Sequence, residues 1–142
     1  MSEQDAREFT LTGMTIHIRL HSDDSNGALS IIEEALPPGT GSPLHTIRES
    51  STLYILAGTV MVTRGDSKIE AKAGDLVYIP HGVPRNITNT STGDARVLVI
   101  IVPGGYEQFL QALHQAGRQV WSDPHRLEMI SARYGVAVCQ PE

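Results

Sequence analysis

The chain has 142 residues, average hydrophobic content and a formal net charge of −5, which fits one ordinary folded domain. This acidic balance argues against nucleic acid or an anionic membrane surface as the main partner. The single cysteine, Cys139, cannot form an internal disulfide, and no apolar run approaches the roughly 20 residues needed to cross a bilayer. We therefore expect a cytoplasmic protein.

Short strand patterns occupy most of the chain up to Pro103. The segment 14–20, MTIHIRL, alternates apolar and polar side chains, which is typical of a half-buried strand, and we expect it to be an edge strand. The last pattern, ARVLVIIVP, is continuously apolar, which is typical of a strand buried on both faces. The patterns between them are ALSIIEEAL (28–36), STLYILAG (51–58), the hairpin TVMVTRGDSKIEA (59–71) turning at Gly65-Asp66, DLVYIP (75–80) and RNITNTS (85–91).

Helical patterns follow Pro103. The segment 104–117 carries apolar residues at helical spacing and can end at Gly117. A second helix is predicted over 122–135, with Ser122 or Asp123 as its cap, Pro124 at its first position and Gly135 at its end. Strands first and helices last predict an all-β barrel or sandwich. We expect a single domain over 1–142, with a β-barrel core at about 10–103 and a helical tail at about 104–135.

Two glycine-framed segments resemble the motifs of the cupin family. In the first motif, Gly39 is followed after five residues by His45, and Gly58 closes the motif. In the second, a glycine, a proline, a glycine and an asparagine stand in family order and spacing, as Gly74, Pro80, Gly82 and Asn89. The resemblance covers nearly all of the chain. It implies a double-stranded β-helix (a cupin, or jelly-roll, barrel) with two short C-terminal helices.

The same motifs have lost most of the residues with which a metal-binding cupin holds its ion. Such a cupin uses three histidines and one glutamate, and this chain retains only His45. The second histidine position is Ile47, the glutamate position is Ser51, and the third histidine position is Arg85. Arginine offers only donors and repels a divalent cation, so we expect no metal and no other cofactor. A rearranged metal site built from His45, Glu49 and His81 is the fallback.

The lumen implied by the resemblance favours an organic ligand instead. Arg85 could hold a carboxylate, enolate or phenolate oxygen, and His45 could move a proton near neutral pH. We therefore predict catalytic roles for His45, Arg85 and Glu49. The expected substrate contacts are Ile47, Ser51, Leu53, Tyr54 and Ile87.

The predicted function is that of a metal-independent lyase, isomerase or cyclase acting on a small or medium organic substrate, such as a polyketide cyclase of bacterial secondary metabolism. Two alternatives stay open: a non-catalytic small-molecule binder, and a dioxygenase-like cupin with the rearranged metal site. In a purely structural alternative, His45 is an inert core histidine, and Arg85 pairs with a carboxylate and fills the lumen. We also expect a homodimer, because cupins commonly pair through their sheets and an uncovered edge strand favours association.

Overall fold

The computed structural model describes residues 6–139. Within them the chain alternates short strands and tight turns up to residue 102, and two helices follow. The helices are α1 (Tyr106–Ala116) and α2 (Pro124–Arg133), and 3-10 turns form at Ser22–Ser25 and Arg118–Ser122. The strands are β1 (Glu8–Leu11), β2 (Met14–Leu20), β3 (Ser30–Leu36), β4 (His45–Thr46), β5 (Ser50–Ala57), β6 (Thr59–Arg64), β7 (Ser67–Lys72), β8 (Leu76–Ile79), β9 (Arg85–Thr88), β10 (Ala95–Val102) and β11 (Ala137–Val138).

The strands form two antiparallel sheets that enclose the core. One sheet has the order β1-β2-β3-β10-β5-β8, and the other has the order β11-β4-β9-β6-β7. Alternate residues of each strand point inward, and the apolar ones among them make a single buried cluster between the sheets. This arrangement confirms the predicted double-stranded β-helix with two C-terminal helices.

Two strand predictions are wrong in detail. β2 is not an edge strand, because β1 pairs with one side of it and β3 with the other. β10 is central but is buried on one face only: Val97, Val99 and Ile101 are buried, whereas Val102 is 49% exposed. A single layer of antiparallel sheet leaves its outer face to solvent even when that face carries apolar residues.

The motif glycines occupy turns that other residues adopt with difficulty. Gly39, Gly58, Gly74 and Gly82 all have positive φ angles. Gly58 is the most restricted, because an added Cβ would also collide with the carbonyl oxygen of Asp94. The predicted turn at Gly65-Asp66 is confirmed as well, since Arg64 pairs with Ser67 across it.

Helix α1 is anchored to the barrel by a buried carboxylate in its first turn. Glu107 accepts hydrogen bonds from the Ser22 backbone N–H at 2.7 Å, from the Ser30 hydroxyl at 2.5 Å and from the Gly105 N–H at 3.0 Å. These bonds fix the start of α1 against β3 and so place Tyr106 at the barrel wall. The helix then runs past β1 and β3 and ends at Gly117, as predicted.

The last described elements return the chain to the second sheet. Asp123 caps α2 by accepting a hydrogen bond from the Arg126 N–H at 3.1 Å, and β11 then pairs with β4. Neither this strand nor β1 was predicted from the sequence. Among residues 6–139, neither helix has the length and apolarity required to cross a membrane.

Candidate functional site

Both ring nitrogens of His45 make hydrogen bonds. It lies on β4, and its Nδ1 atom is 2.7 Å from the carbonyl oxygen of Pro43, which can only accept. Nδ1 therefore carries the proton, and Nε2 accepts from the Tyr106 hydroxyl at 3.2 Å. Burial and then the charge of Arg85 lower the pKa of His45 to about 4, although the Pro43 hydrogen bond acts in the other direction. The imidazole is neutral at pH 7.

Arg85 is a buried cation with a neutral partner. It begins β9 directly opposite His45 in the sheet register, and it is 7% exposed. Its Nη1 atom donates to Ser51 Oγ at 2.7 Å, and it forms no ion pair with any carboxylate among residues 6–139. Burial lowers the pKa of the guanidinium, while the charges of Glu34 and Glu49 oppose that shift. Arginine nevertheless stays protonated at neutral pH, so the lumen contains a positive charge whose hydrogen-bond partner is neutral.

Glu34 brings a carboxyl group into the same space. It lies on β3 with the inward parity of Ile32 and Leu36, and its side chain borders the cavity that Arg85 lines. It makes no hydrogen bond or ion pair with a residue of the described chain. Burial raises the pKa of Glu34 to about 7, and the charge of Arg85 only partly opposes this effect. The group therefore exchanges a proton within the physiological pH range.

The inner cavity is small and is lined by charged and apolar groups. Its volume is about 30 Å³. The polar lining consists of Glu34, Ser42, His45, Arg85, Asn86 and Tyr106, and the apolar lining of Leu53, Ile79, Ile87 and Val99. Six of the ten lining residues are polar, so a small group that enters the cavity meets several hydrogen-bonding partners.

The predicted substrate contacts divide into three groups. Leu53 and Ile87 line the inner cavity. Ser51 reaches it only through its hydrogen bond to Arg85, and Ile47 is buried without lining it. Tyr54 does not belong to the site: its neighbour Leu53 points inward, so Tyr54 points outward and is 37% exposed. The prediction for Tyr54 took its polarity into account but not its parity in the strand.

Glu49 lies outside the cavity lining. Its side chain is buried beside the start of α1, where Oε2 is 3.5 Å from Arg48 Nε and Oε1 has no hydrogen-bond partner in the described chain. Burial raises the pKa of this carboxyl group, and Arg48 opposes the rise. Glu49 therefore influences Arg85 through its charge and does not contact it.

The fallback metal site is not assembled. His81 is exposed in the turn between β8 and β9. Across residues 6–139, no group of three or more His, Cys, Asp and Glu side chains is placed to hold a metal ion. The trio His45, Glu49 and His81 was predicted from its ligand chemistry, but the strand geometry separates its members.

Comparison with known proteins accords with this architecture. The family model described as Cupin domain matches residues 32–101. An uncharacterised protein of Methanocaldococcus jannaschii, MJ1618, is 32% identical over 96 residues, which cover 66% of this chain and 77% of that protein. The chain belongs to the cupin family.

Solved cupin structures share the fold at low identity. A predicted oxalate decarboxylase from Thermotoga maritima superposes with a TM-score of 0.64 at 22% identity, covering 72% of this chain and 96% of that one. The polyketide cyclase RemF from Streptomyces resistomycificus superposes with a TM-score of 0.61 at 18% identity, covering 72% and 77% of the two chains. These likenesses show the fold alone.

The residues at the cupin metal positions do not fit a divalent cation. Of the four, only His45 carries a ligand of the usual kind, and its Nε2 lone pair is directed at the Tyr106 hydroxyl. Ile47 offers no donor atom. Ser51 and Arg85 are hydrogen-bonded to each other, so a guanidinium replaces the third imidazole. The positive charge of Arg85 would repel a cation bound at His45.

Two residues of this cupin site were missed by sequence reasoning. Tyr106 lies in the predicted helical segment 104–117, and its contact with His45 spans 61 positions, which no local pattern reveals. Glu34 could have been recognised from the sequence, because a charged residue at an inward position of the alternating strand SIIEEAL is unusual. A search for charged residues at buried parity would have identified Glu34.

Proposed function

We propose that this cupin is a cytoplasmic enzyme that catalyses non-redox chemistry of the lyase, isomerase or cyclase type on a small organic substrate, without a bound metal ion. One observation carries the proposal: the buried Arg85 guanidinium faces the lumen with only a neutral hydroxyl as its partner. A buried charge that has only a neutral hydrogen-bond partner is costly to keep, so it is typical of a site whose ligand supplies further negative charge.

Arg85 and Glu34 divide the chemistry between them. The ionised carboxylate of Glu34 removes a proton from a carbon next to a carbonyl group of the substrate. The C–H electron pair becomes a carbon–carbon double bond, and the carbonyl oxygen takes the negative charge. Arg85 stabilises that enolate oxygen through its free N–H groups. Glu34 then returns the proton to the opposite face of the same carbon or to another carbon, which completes an isomerisation. Alternatively, the enolate carbon attacks a second carbonyl, whose oxygen takes the proton from Glu34, and the new carbon–carbon bond closes a ring.

In this proposal His45 is a positioning residue and Glu34 is the acid-base group. A histidine with a pKa of about 4 and both nitrogens engaged is a weak base and no acid at neutral pH. Its hydrogen bond to Tyr106 fixes the phenol at the cavity wall. The pKa of Glu34, about 7, is matched to proton transfer at neutral pH.

Ring closure of a polyketide is one reaction of this class, and RemF, a cupin of the same fold, is named as a polyketide cyclase. We propose the same type of ring closure here, in bacterial secondary metabolism, on a substrate much smaller than a polyketide. The small cavity favours a substrate at the small end of the range.

The test is hydrogen exchange in D₂O. Small 2-oxo acids such as pyruvate and 2-oxobutanoate are incubated with the protein, and proton NMR follows the loss of the signal from the carbon next to the carbonyl. We expect exchange in excess of the buffer rate, unchanged by a chelator. Arg85→Met should lower it by about 100- to 1000-fold, and Glu34→Gln by at least about 100-fold. An exposed-carboxylate variant, Glu70→Gln, serves as the matched control.

The second candidate is a non-catalytic binder, and the engagement of both His45 nitrogens favours it. In that case the acids would bind through Arg85, and neither wild type nor Glu34→Gln would accelerate exchange. Calorimetry on the same panel separates the two: binding without exchange identifies a binder. Absence of both binding and exchange over the panel would rule out the oxyanion site altogether.

We also propose a homodimer, through the outer face of the six-stranded sheet. This face exposes Tyr54, Leu76, Tyr78 and Val102, a set of large side chains of a kind that marks interaction surfaces. Sedimentation velocity should give a dimer that Tyr78→Lys dissociates, while the exposed substitution Glu70→Lys leaves it intact. A 15.4 kDa species alone in the wild type would overturn this proposal.

A further inference from the structure

A second chamber adjoins the charged one, between the barrel and α1. Its volume is about 40 Å³. Strands β1 and β2 form one side of it and the apolar face of α1 forms the other. The lining includes Leu11, Met14, Ile16, Phe109, Leu110 and Leu113. An apolar chamber offers water almost no hydrogen bonds, so an apolar group gains by entering it.

The two chambers have four lining residues in common. Glu34, Ser42, His45 and Tyr106 line both of them. Arg85 lines only the inner chamber, and Phe109, Leu110 and Leu113 of α1 line only the outer one. A ligand that places its charged end at Arg85 therefore has its other end directed past these four residues into the apolar chamber.

We propose that the lumen binds a short-chain carboxylic acid, with its carboxylate at Arg85 and an unbranched or branched hydrocarbon tail in the apolar chamber under α1. This inference rests on the proposed oxyanion site and adds the substrate class. The planar guanidinium suits a carboxylate, and in a 2-oxo acid it suits the carboxylate together with the neighbouring carbonyl oxygen.

The chambers also limit the length of the acid. A water-sized group needs about 10–15 Å³. The inner chamber therefore accommodates a carboxylate, and the outer chamber accommodates on the order of three or four carbon atoms. The tail of a longer acid would project out of the chamber, and its projecting methylenes would add little affinity.

A surface groove adjoins the apolar chamber, and we propose it as the entrance. Thr12, Ser42, Pro43 and Trp121 line both the apolar chamber and an open groove of about 480 Å³ on the surface. Trp121 is partly buried, in the 3-10 turn that follows α1. An acid entering from the groove passes Trp121, crosses the apolar chamber and reaches the charged one.

The experiment measures the affinity of unreactive straight-chain acids by calorimetry. Acetate, propanoate, butanoate, pentanoate, hexanoate and octanoate form the series, and butylamine and butanol are the controls for the head group. We expect affinity to rise by about fourfold for each methylene that enters the chamber, because each contributes about 0.8 kcal/mol. The increase should stop after about four tail carbons, and the two control compounds should bind at least 10-fold more weakly than butanoate.

Variants separate the head from the tail. Leu113→Phe fills the apolar chamber, and Val138→Phe does so from the opposite wall if the first variant folds poorly. Either should abolish the gain per methylene while leaving acetate binding within about threefold of wild type. Met129→Phe makes the same kind of change at an exposed position of α2 and should leave the whole series unchanged. Arg85→Met should weaken every acid.

The outcomes distinguish this inference from the proposed function. If affinity depends on Arg85 but is equal for acetate and hexanoate, the tail assignment is wrong and the oxyanion site stands. If butanol and butylamine bind as tightly as butanoate, the carboxylate assignment is wrong. If no acid of the series binds although 2-oxo acids exchange protons, the substrate class is wrong and the enzyme proposal stands.

Discussion

The Nη1 atom of Arg85 donates a hydrogen bond of 2.7 Å to the Oγ atom of Ser51. These residues occupy the third-histidine and glutamate positions of the cupin motifs, so two former ligand positions now contact each other. Because the hydroxyl is neutral, the contact orients the guanidinium without cancelling its charge. The lumen has thereby changed from a place suited to a cation into a place suited to an anion.

The buried charge of Arg85 should therefore lower the free energy of unfolding. Arg85→Met retains most of the buried volume and removes a buried charge that forms no direct ion pair among residues 6–139, so we expect the free energy of unfolding to rise by about 1–2 kcal/mol. Urea unfolding measures this change in the free energy of unfolding. Ser51→Ala is the matched control: it leaves the buried guanidinium without its partner and should destabilise the protein by about 1–3 kcal/mol. Loss of stability in Arg85→Met would instead assign Arg85 a structural role.

Substitutions that restore the usual cupin ligands should create a metal-binding site. The triple variant Ile47→His, Ser51→Glu, Arg85→His rebuilds the three-histidine, one-glutamate set of the family around His45. We expect it to bind zinc or manganese stoichiometrically, and we expect the wild type to contain less than about 0.1 equivalent by elemental analysis, because its guanidinium repels the ion. Stoichiometric metal in the wild type, purified without added salts, would contradict the proposed metal-independent chemistry.

Two buried histidines should have opposite neutral tautomers. Pro43 fixes the proton of His45 on Nδ1. In His21, Nδ1 accepts from the Asp23 N–H at 3.0 Å, so the proton is on Nε2, which faces Gln111 Oε1 at 3.2 Å. Nitrogen-15 chemical shifts at pH 7 distinguish the two forms, with each histidine serving as the control for the other. In Tyr106→Phe, His45 should keep its Nδ1–H form and lose the shift caused by a donor at Nε2. An imidazolium signal from His45 at pH 7 would refute this arrangement.

The fold was predictable because its signals are local. Strand alternation, the hairpin at Gly65-Asp66 and the caps of the helices all lie within a few residues of one another in the sequence. The motif spacing also identified His45 and Arg85, which proved to be register partners. Tyr106 was missed because a long-range contact brings it to the site, whereas Glu34 was missed although its inward parity in β3 was visible in the sequence. Tyr54 was misassigned because a one-residue change in parity moves a side chain to the other face of a strand.

The last prediction concerns the opposing titrations of Glu34 and His45. The folded pKa of Glu34 is about 7, above its unfolded value of 4.5, so its contribution to stability is present below pH 4.5 and is lost as pH rises to 7. The folded pKa of His45 is about 4, below its unfolded value of 6.5, so its contribution is present above pH 6.5 and is lost as pH falls to 4. Each amounts to about 3 kcal/mol, and between pH 4.5 and 6.5 they nearly cancel.

Single variants should remove this cancellation in opposite directions. In Glu34→Gln, stability measured by urea unfolding should rise relative to wild type as pH increases from 4.5 to 7, by about 3 kcal/mol, because the variant no longer has to keep a carboxyl group protonated. In His45→Asn, stability should fall relative to wild type as pH increases from 4 to 6.5, by a similar amount. Glu70→Gln, at an exposed position, should run parallel to wild type throughout. Parallel curves for Glu34→Gln as well would mean that this carboxyl group is solvated, and it would then lose its proposed role as the acid-base group, because a solvated carboxyl is fully ionised at neutral pH.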